Sequence, residues 1–125
     1  MSTKSPDNPV LASSNREPIM SLCLTCQDDV KTIVISGELD LDTVHLLTEL
    51  VDRVAAERPT RVLIDMADVT FFCAAGLAAL LRARETITGI GGRLTVRAPS
   101  PITRTVLTIT DTDRLLLAEN TPAAA

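Results

Sequence analysis

A strand-to-helix junction occupies residues 62–77, where the sequence reads VLIDMADVTFFCAAGL. Its first five residues are mostly apolar, which is typical of a central strand that is buried on both faces. Small residues at 73–76 precede apolar residues at helical spacing, so a helix begins at this turn. Unpaired backbone N–H groups and the helix macrodipole favour an anion there. The turn therefore has the shape of a phosphate-bearing regulatory site, but residues 73–76 contain no hydroxyl group.

Strand and helix patterns alternate on both sides of this junction. An opening hairpin turns at Asp28-Asp29, and Pro and Gly residues separate most of the later segments. The order β-β-α-β-α-β-α-β is typical of an α/β domain with a mixed β-sheet and packed α-helices. The predicted strands cover residues 21–27, 31–36, 61–66, 93–97 and 115–117, and the predicted helices cover residues 43–58, 75–88 and 100–109.

The same patterns predict several local details. Residues 37–40 should end the second strand, and residues 93–97 alternate in polarity, so one face of that strand should lie in solvent. Asp42 or Thr43 can cap the first long helix, because each offers a side-chain oxygen to a free backbone N–H group.

The length of 125 residues is enough for one domain with its own hydrophobic core. We expect this domain to cover residues 20–119. Residues 1–19 are rich in Ser, Pro, Asn and charged residues, which predicts a flexible N-terminal tail. The Ala- and Pro-rich residues 120–125 predict a disordered C-terminal tail.

The composition argues against nucleic acid as a direct partner. The chain has no Trp, no Tyr and two Phe residues, whereas single-stranded nucleic acids are usually bound on aromatic side chains. The net charge is −4, and no run of Lys or Arg forms the basic face that phosphates require. No segment reaches the roughly 18 apolar residues of a membrane span, and the N-terminus lacks a signal-peptide pattern. The expected location is the cytoplasm.

Cys23 and Cys26 have the CxxC spacing of redox and zinc sites. They fall inside a predicted strand, where residues three apart face opposite ways and lie about 10 Å apart. A disulfide tolerates no more than about 7 Å between Cα atoms, and the chain has no second CxxC that would complete a zinc site. We therefore interpret Cys26 as a core residue and Cys23 as a residue without a chemical role.

Other side chains with chemical potential are isolated. His45 is the only histidine, and no Ser or Cys can be assigned as its catalytic partner. Asp40 and Asp42 are too few for a hard-cation site, and the glycines at 89–92 follow a helix instead of preceding one. The sequence predicts no catalytic residue, no metal and no cofactor, and hence a protein that is not an enzyme.

Two segments resemble the STAS family, whose bacterial members include anti-sigma-factor antagonists. Residues 35–43, ISGELDLDT, resemble the family's Gly-Glu-Leu-Asp turn into its first helix. Residues 62–72, followed by the turn that ends in Gly76-Leu77, form the second segment that resembles the family. The resemblance covers about residues 21–118 and implies a STAS-like mixed sheet. Shorter matches lie at residues 91–94 (GGRL) and 111–115 (DTDRL).

The resemblance implies a site at the junction. In the family this turn normally reads Asp-Ser-Ser or Asp-Ser-Thr, and the hydroxyl before Gly is phosphorylated by a kinase that is also the anti-sigma factor. Here Cys73 stands at the position of the Asp and Ala75 at that of the phosphoacceptor, while Asp40 matches an acidic residue near the site. The partner-binding surface implied in this way consists of Asp40, Thr43, Phe72, Cys73, Ala74, Ala75, Gly76 and Leu77. Of these, we expect Phe72, Cys73, Ala74, Ala75 and Leu77 to be exposed.

The implied function is that of an anti-sigma-factor antagonist, which sequesters an anti-sigma factor by partner switching in a stress response. Since Ala75 cannot accept a phosphate, control by phosphorylation at the usual site is not expected. Cys73 at a helix N-terminus is an alternative, redox-sensitive control point. A subunit of a lipid- or solute-transport complex is a second alternative function, and a homodimer is left open.

Overall fold

The computed structural model describes residues 20–117, which form one sheet and four helices. The predicted tails, residues 1–19 and 120–125, lie outside the described residues. The strands are β1 (Met20–Gln27), β2 (Val30–Leu39), β3 (Arg61–Phe72) and β4 (Arg93–Arg97), and the helices are α1 (Val44–Ala56), α2 (Ala74–Gly89), α3 (Pro101–Ile109) and α4 (Asp113–Leu116).

The four strands lie in the order β1-β2-β3-β4. β1 and β2 form an antiparallel hairpin, whereas β2, β3 and β4 are parallel. Parallel neighbours need a crossover between them, and α1 and α2 provide the two crossovers. The carboxyl ends of β2 and β3 consequently meet at one edge of the sheet, which brings the turns that follow them together.

One face of the sheet supplies the hydrophobic core. Ile33, Ile64 and Val96 are in register on neighbouring strands, so their side chains share this face, and all three are buried. The apolar sides of α1 and α2 belong to the same buried cluster. The buried helix residues are Leu47, Val51 and Val54 in α1, and Leu77, Leu80, Ala83 and Ile87 in α2.

The predicted mixed α/β class is confirmed, and the first seven elements occur in the predicted order. The segment 115–117 is a correction, because its leucines belong to the short helix α4 and its C-terminus instead of a last strand. A run of three leucines fits either structure by pattern alone. In the helix only Leu116 is buried, while Leu115 is 44% exposed.

The second strand does not end at Gly37, as the sequence suggested, but continues to Leu39. Its pairing with β3 shifts in register between Val34 and Ser36 and again between Gly37 and Glu38. Gly37 has a φ of 95°, a conformation that glycine adopts without the steric cost met by other residues. The glycine thus allows an irregularity within the strand instead of terminating it.

Two burial predictions were also wrong. β4 has no wet face at its centre, since Leu94, Thr95 and Val96 are all buried although they alternate between its two faces. Cys26 is exposed, not part of the core. It lies near the hairpin end of an edge strand and pairs in register with Lys31, whose Nζ is 3.4 Å from its Sγ.

Candidate functional site

Two turns lie side by side at the carboxyl edge of the sheet. Leu39 and Phe72 are paired in register as the last residues of β2 and β3. Past this pair, the Cys73 N–H donates to the Leu39 carbonyl at 3.4 Å. Asp40 directly follows Leu39, so the structure places it beside the strand-to-helix junction.

The turn after β2 is closed by polar groups of its own. The Thr43 hydroxyl accepts from the Asp40 N–H at 2.9 Å and donates to the Glu38 carbonyl at 2.8 Å. The Asp40 carboxylate accepts from the Asp42 N–H at 3.0 Å. Thr43 occupies the N-cap position of α1, but its side chain makes no capping hydrogen bond. Its hydroxyl instead fixes the turn, and Thr43 is buried at 5% exposure.

The turn after β3 lacks a comparable side-chain network. Cys73 has the extended backbone of an N-cap residue, with φ −115° and ψ −177°, but its side chain makes no capping hydrogen bond. The Cys73 Sγ lies 3.9 Å from the Leu39 carbonyl oxygen. The first turn of α2 also contains no acidic residue. The positive end of the helix dipole is therefore not compensated by a side chain of its own first turn.

Gly76 brings α2 into close contact with both strands. A Cβ atom at this position would lie 2.9 Å from the Leu39 carbonyl oxygen and 3.0 Å from the ring of Phe72. Real Cβ atoms do not approach backbone oxygen this closely. The glycine that follows Ala75 is thus required by packing, and it fixes the distance between the two turns.

Only part of the predicted partner surface is accessible. Ala74 is exposed, and Asp40, Cys73 and Ala75 are half-buried at the turns. The expectation that Phe72 and Leu77 are exposed was wrong, since their side chains lie in the core at 3% and 9% exposure. The remaining members of the predicted set, Thr43 and Gly76, are buried. They support the turns through the hydrogen bonds and the close packing described above.

Two exposed apolar side chains at these turns were not among the predicted site residues. Leu41, between Asp40 and Asp42, is 75% exposed, and Phe71 is 47% exposed. Side chains alternate along a strand, so the burial of Phe72 turns Phe71 to the other face of β3. The sequence prediction ended this strand at residue 66, and only a prediction that extended it to residue 72 would have shown that Phe71 and Phe72 face opposite ways. Together with Ala74 and Ala75, the exposed Leu41 and Phe71 side chains make the carboxyl edge less polar than its acidic residues suggest.

A separate polar cluster lies at the opposite end of the sheet. Lys31 donates to the Glu57 carboxylate and to Cys26, and these bonds raise the Lys31 pKa above its ordinary value of 10.5. Residue 31 is about 30 Å along β2 from Asp40 at the usual strand rise. This ion pair is therefore not part of the carboxyl-edge site. None of the helices within residues 20–117 has the length and apolar character needed to cross a membrane.

A family model described as "Mlab, STAS domain" matches residues 24–118. The chain belongs to the STAS family. The match includes all of β2, β3 and β4, and thus both turns of the site. In this STAS domain the strand-to-helix junction carries Cys73, Ala74 and Ala75 before Gly76.

Relatives with known names support the same assignment. The chain is 35% identical over 86 residues to the anti-sigma-F factor antagonist RsfB of Mycobacterium tuberculosis, covering 67% of this chain and 70% of RsfB. The crystal structure of an anti-sigma factor antagonist from Mycobacterium paratuberculosis superposes with a TM-score of 0.70 at 28% identity, covering 78% and 82% of the two chains. The unphosphorylated anti-sigma factor antagonist SpoIIAA, at 18% identity and a TM-score of 0.69, shares the fold over 78% of this STAS domain and 86% of its own chain.

Proposed function

We propose that this STAS domain is an anti-sigma-factor antagonist that sequesters an anti-sigma factor and is not switched off by phosphorylation at the junction. The observation that carries the proposal is Ala75. It is half-buried in the first turn of α2, immediately before the glycine that packs on Leu39 and Phe72. RsfB and the Mycobacterium paratuberculosis protein are both named as anti-sigma factor antagonists, which supports the partner class.

The carboxyl edge fits a protein partner. It presents the exposed side chains of Leu41, Phe71 and Ala74, and apolar side chains gain free energy when a partner removes them from water. Asp40 lies at the same edge: its N–H donates to the Thr43 hydroxyl and its carboxylate accepts from the Asp42 N–H, so its position is fixed before a partner arrives. A partner with one basic group opposite Asp40 and an apolar surface around it would match this edge.

Phosphate at residue 75 would oppose such a complex. It would add about −1.5 to −2 charges at neutral pH. In the free protein, the N-terminus of α2 would accommodate that charge. In a complex, the same charge would be desolvated next to the Asp40 carboxylate, and both effects would lower the affinity. Because alanine has no hydroxyl, the chain would behave as a permanently binding-competent form.

Binding to the anti-sigma factors of the same cell tests this proposal. We expect wild-type protein to bind one of them, and Ala75→Asp to weaken that binding at least tenfold. Ala56→Asp is the matched control, because it adds the same charge at an exposed position on the last turn of α1, at the far end of the sheet. Equal affinities of the Ala75 variant and wild type in calorimetry would show that the junction is not the interface.

Phosphorylation is tested separately on the intact chain. After incubation with the bound kinase and ATP, intact-mass spectrometry should show no phosphate on wild type, and one phosphate on Ala75→Ser. Phosphate on wild type at residues 73–76 would contradict the proposal. Recovery of an ATPase in place of an anti-sigma factor would favour the transport-complex alternative. Binding that disappears on oxidation, but persists in oxidised Cys73→Ser, would favour redox control.

A further inference from the structure

The outer edge of β1 has an unusual composition for an exposed strand. Its eight residues read MSLCLTCQ and include no charged residue, no proline and no glycine. Within residues 20–117 no strand lies beyond β1, so one row of its backbone groups faces outward. We propose that this edge pairs with the β1 strand of a second copy of the chain in a twofold-symmetric dimer.

The two edges of the sheet differ in the features that prevent strand pairing. Native edges are commonly protected by shortness, charged side chains, proline or bulges. β4 is only five residues long and carries Arg93 and Arg97 at its ends. In an antiparallel pair of β4 strands these arginines would meet each other, and like charges directly opposite are destabilising. β1 is longer, and its register with β2 runs without a shift from Met20 to Gln27. Of the two edge strands, only β1 presents a regular row of backbone groups with which another strand can pair.

An apolar groove runs beside this edge. It has a volume of about 370 Å³ and lies between β1 and α1. Leu24 and Leu46 line it, and they are 38% and 40% exposed, which is high for large apolar side chains. On α1, the groove residues are spaced at i, i+3, i+4 and i+7, which places them on one stripe of the helix. These residues are Leu46, Glu49, Leu50 and Arg53.

Charge on this stripe favours a second copy as the occupant. Glu49 and Arg53 line the same groove one helical turn apart and have opposite signs. A twofold axis normal to the sheet sets β1 antiparallel to its copy and α1 antiparallel to its copy. When the axis passes level with residue 51, each Glu49 faces the Arg53 of the second copy, and the same contact occurs twice, as in any isologous interface. A surface that carries both charges at this spacing is complementary to itself.

The dimer and the carboxyl-edge site would use different residues. β1 forms one side of the sheet, whereas the turns at Asp40 and Cys73 lie at the ends of β2 and β3. The two proposals can therefore fail independently. A protein that dimerises without binding an anti-sigma factor, or that binds one as a monomer, would separate them.

Analytical ultracentrifugation of the full chain tests the dimer. Between about 1 and 500 µM, a range that includes weak interfaces, we expect the apparent mass to rise from 13.4 kDa towards twice that value. Leu24→Lys should weaken the dimer at least tenfold, because it puts a charge on the edge and in the groove. Ile109→Lys is the matched control, since residue 109 is 76% exposed at the end of α3, and it should dimerise like wild type.

Charge reversal tests the symmetry of the interface. Glu49→Arg and Arg53→Glu should each weaken the dimer, because every such chain presents like charges to its copy. The double variant exchanges the two charges and should recover most of the wild-type affinity. Circular dichroism confirms that each variant is folded. A wild-type chain that stays monomeric throughout, a Leu24→Lys variant that dimerises normally, or a double variant without recovery would each overturn the proposal.

Discussion

The turn after β2 and the turn after β3 begin at paired residues of the same sheet edge, but they are held by different forces. Side-chain oxygens close the first turn, through the Thr43 hydroxyl and the Asp40 carboxylate. The second turn relies on backbone hydrogen bonds and on the close packing of Gly76. The first turn therefore has polar side chains that support the site, whereas Ala75, at the position that would carry a phosphate, has no polar side-chain group.

The largest effect is expected from Thr43→Val, which removes the hydroxyl at almost constant volume. The Glu38 carbonyl and the Asp40 N–H would lose a part-buried hydrogen bond each, and leaving buried polar groups unpaired costs about 1–3 kcal/mol, less where water can reach them. We expect a loss of about 2–3 kcal/mol in the free energy of unfolding, measured by urea denaturation. Thr43→Ser retains the hydroxyl and should keep most of the stability. A Val variant as stable as wild type would show that the first turn does not depend on this network.

Gly76→Ala examines the second turn. Its new methyl group would collide with the Leu39 carbonyl oxygen and the Phe72 ring. Overpacking costs about 1–3 kcal/mol, which exceeds the helix-propensity gain of about 0.5–1 kcal/mol. We expect the free energy of unfolding, measured by thermal denaturation, to fall by about 1–2 kcal/mol.

Gly89→Ala is the control for this glycine, because it lies in the same helix with no atom within 4 Å of the new Cβ. That variant should be as stable as wild type or slightly more stable. If both alanine variants had the same melting temperature, close packing could not be what holds the second turn.

The smallest expected effect is a gain. Cys73→Ser would supply the side-chain oxygen that the N-cap of α2 lacks, and a good N-cap contributes about 1 kcal/mol. The variant should unfold at a higher urea concentration than wild type. Cys23→Ser makes the same exchange on the exposed strand β1 and should change nothing. A Cys73→Ser variant that is no more stable than wild type would show that the second turn gains nothing from a side-chain oxygen at the N-cap.

Local patterns in the sequence were enough to predict most of the fold. The strand 93–97 has the predicted bounds, and the helix predicted at 75–88 occupies Ala74–Gly89. Glycines at 89, 91 and 92 separate this helix from this strand, which makes the boundary between them easy to predict. The leucines at 115–117 could not be assigned in this way, because whether they form a strand or a helix depends on space beside β4.

The candidate site was predicted less completely, since it depends on contacts between distant segments. Gly76 could be identified as a family position, but its packing on the Leu39 carbonyl is visible only in three dimensions. The prediction ended β3 too early, and so the alternation that buries Phe72 and exposes Phe71 was missed. Cys26 looked like a core residue because the sequence does not show that β1 is an edge strand.

The contact of Gly76 with Leu39 and Phe72 has a consequence for recognition. α2 cannot tilt at its first turn without displacing the ends of β2 and β3, because no gap separates the glycine from either strand. A protein that docks on Ala74 and Ala75 therefore meets a surface whose shape is set before contact. Binding to a preorganised surface loses little conformational entropy. The contacts made on docking therefore raise the affinity without a large opposing cost of ordering a loop.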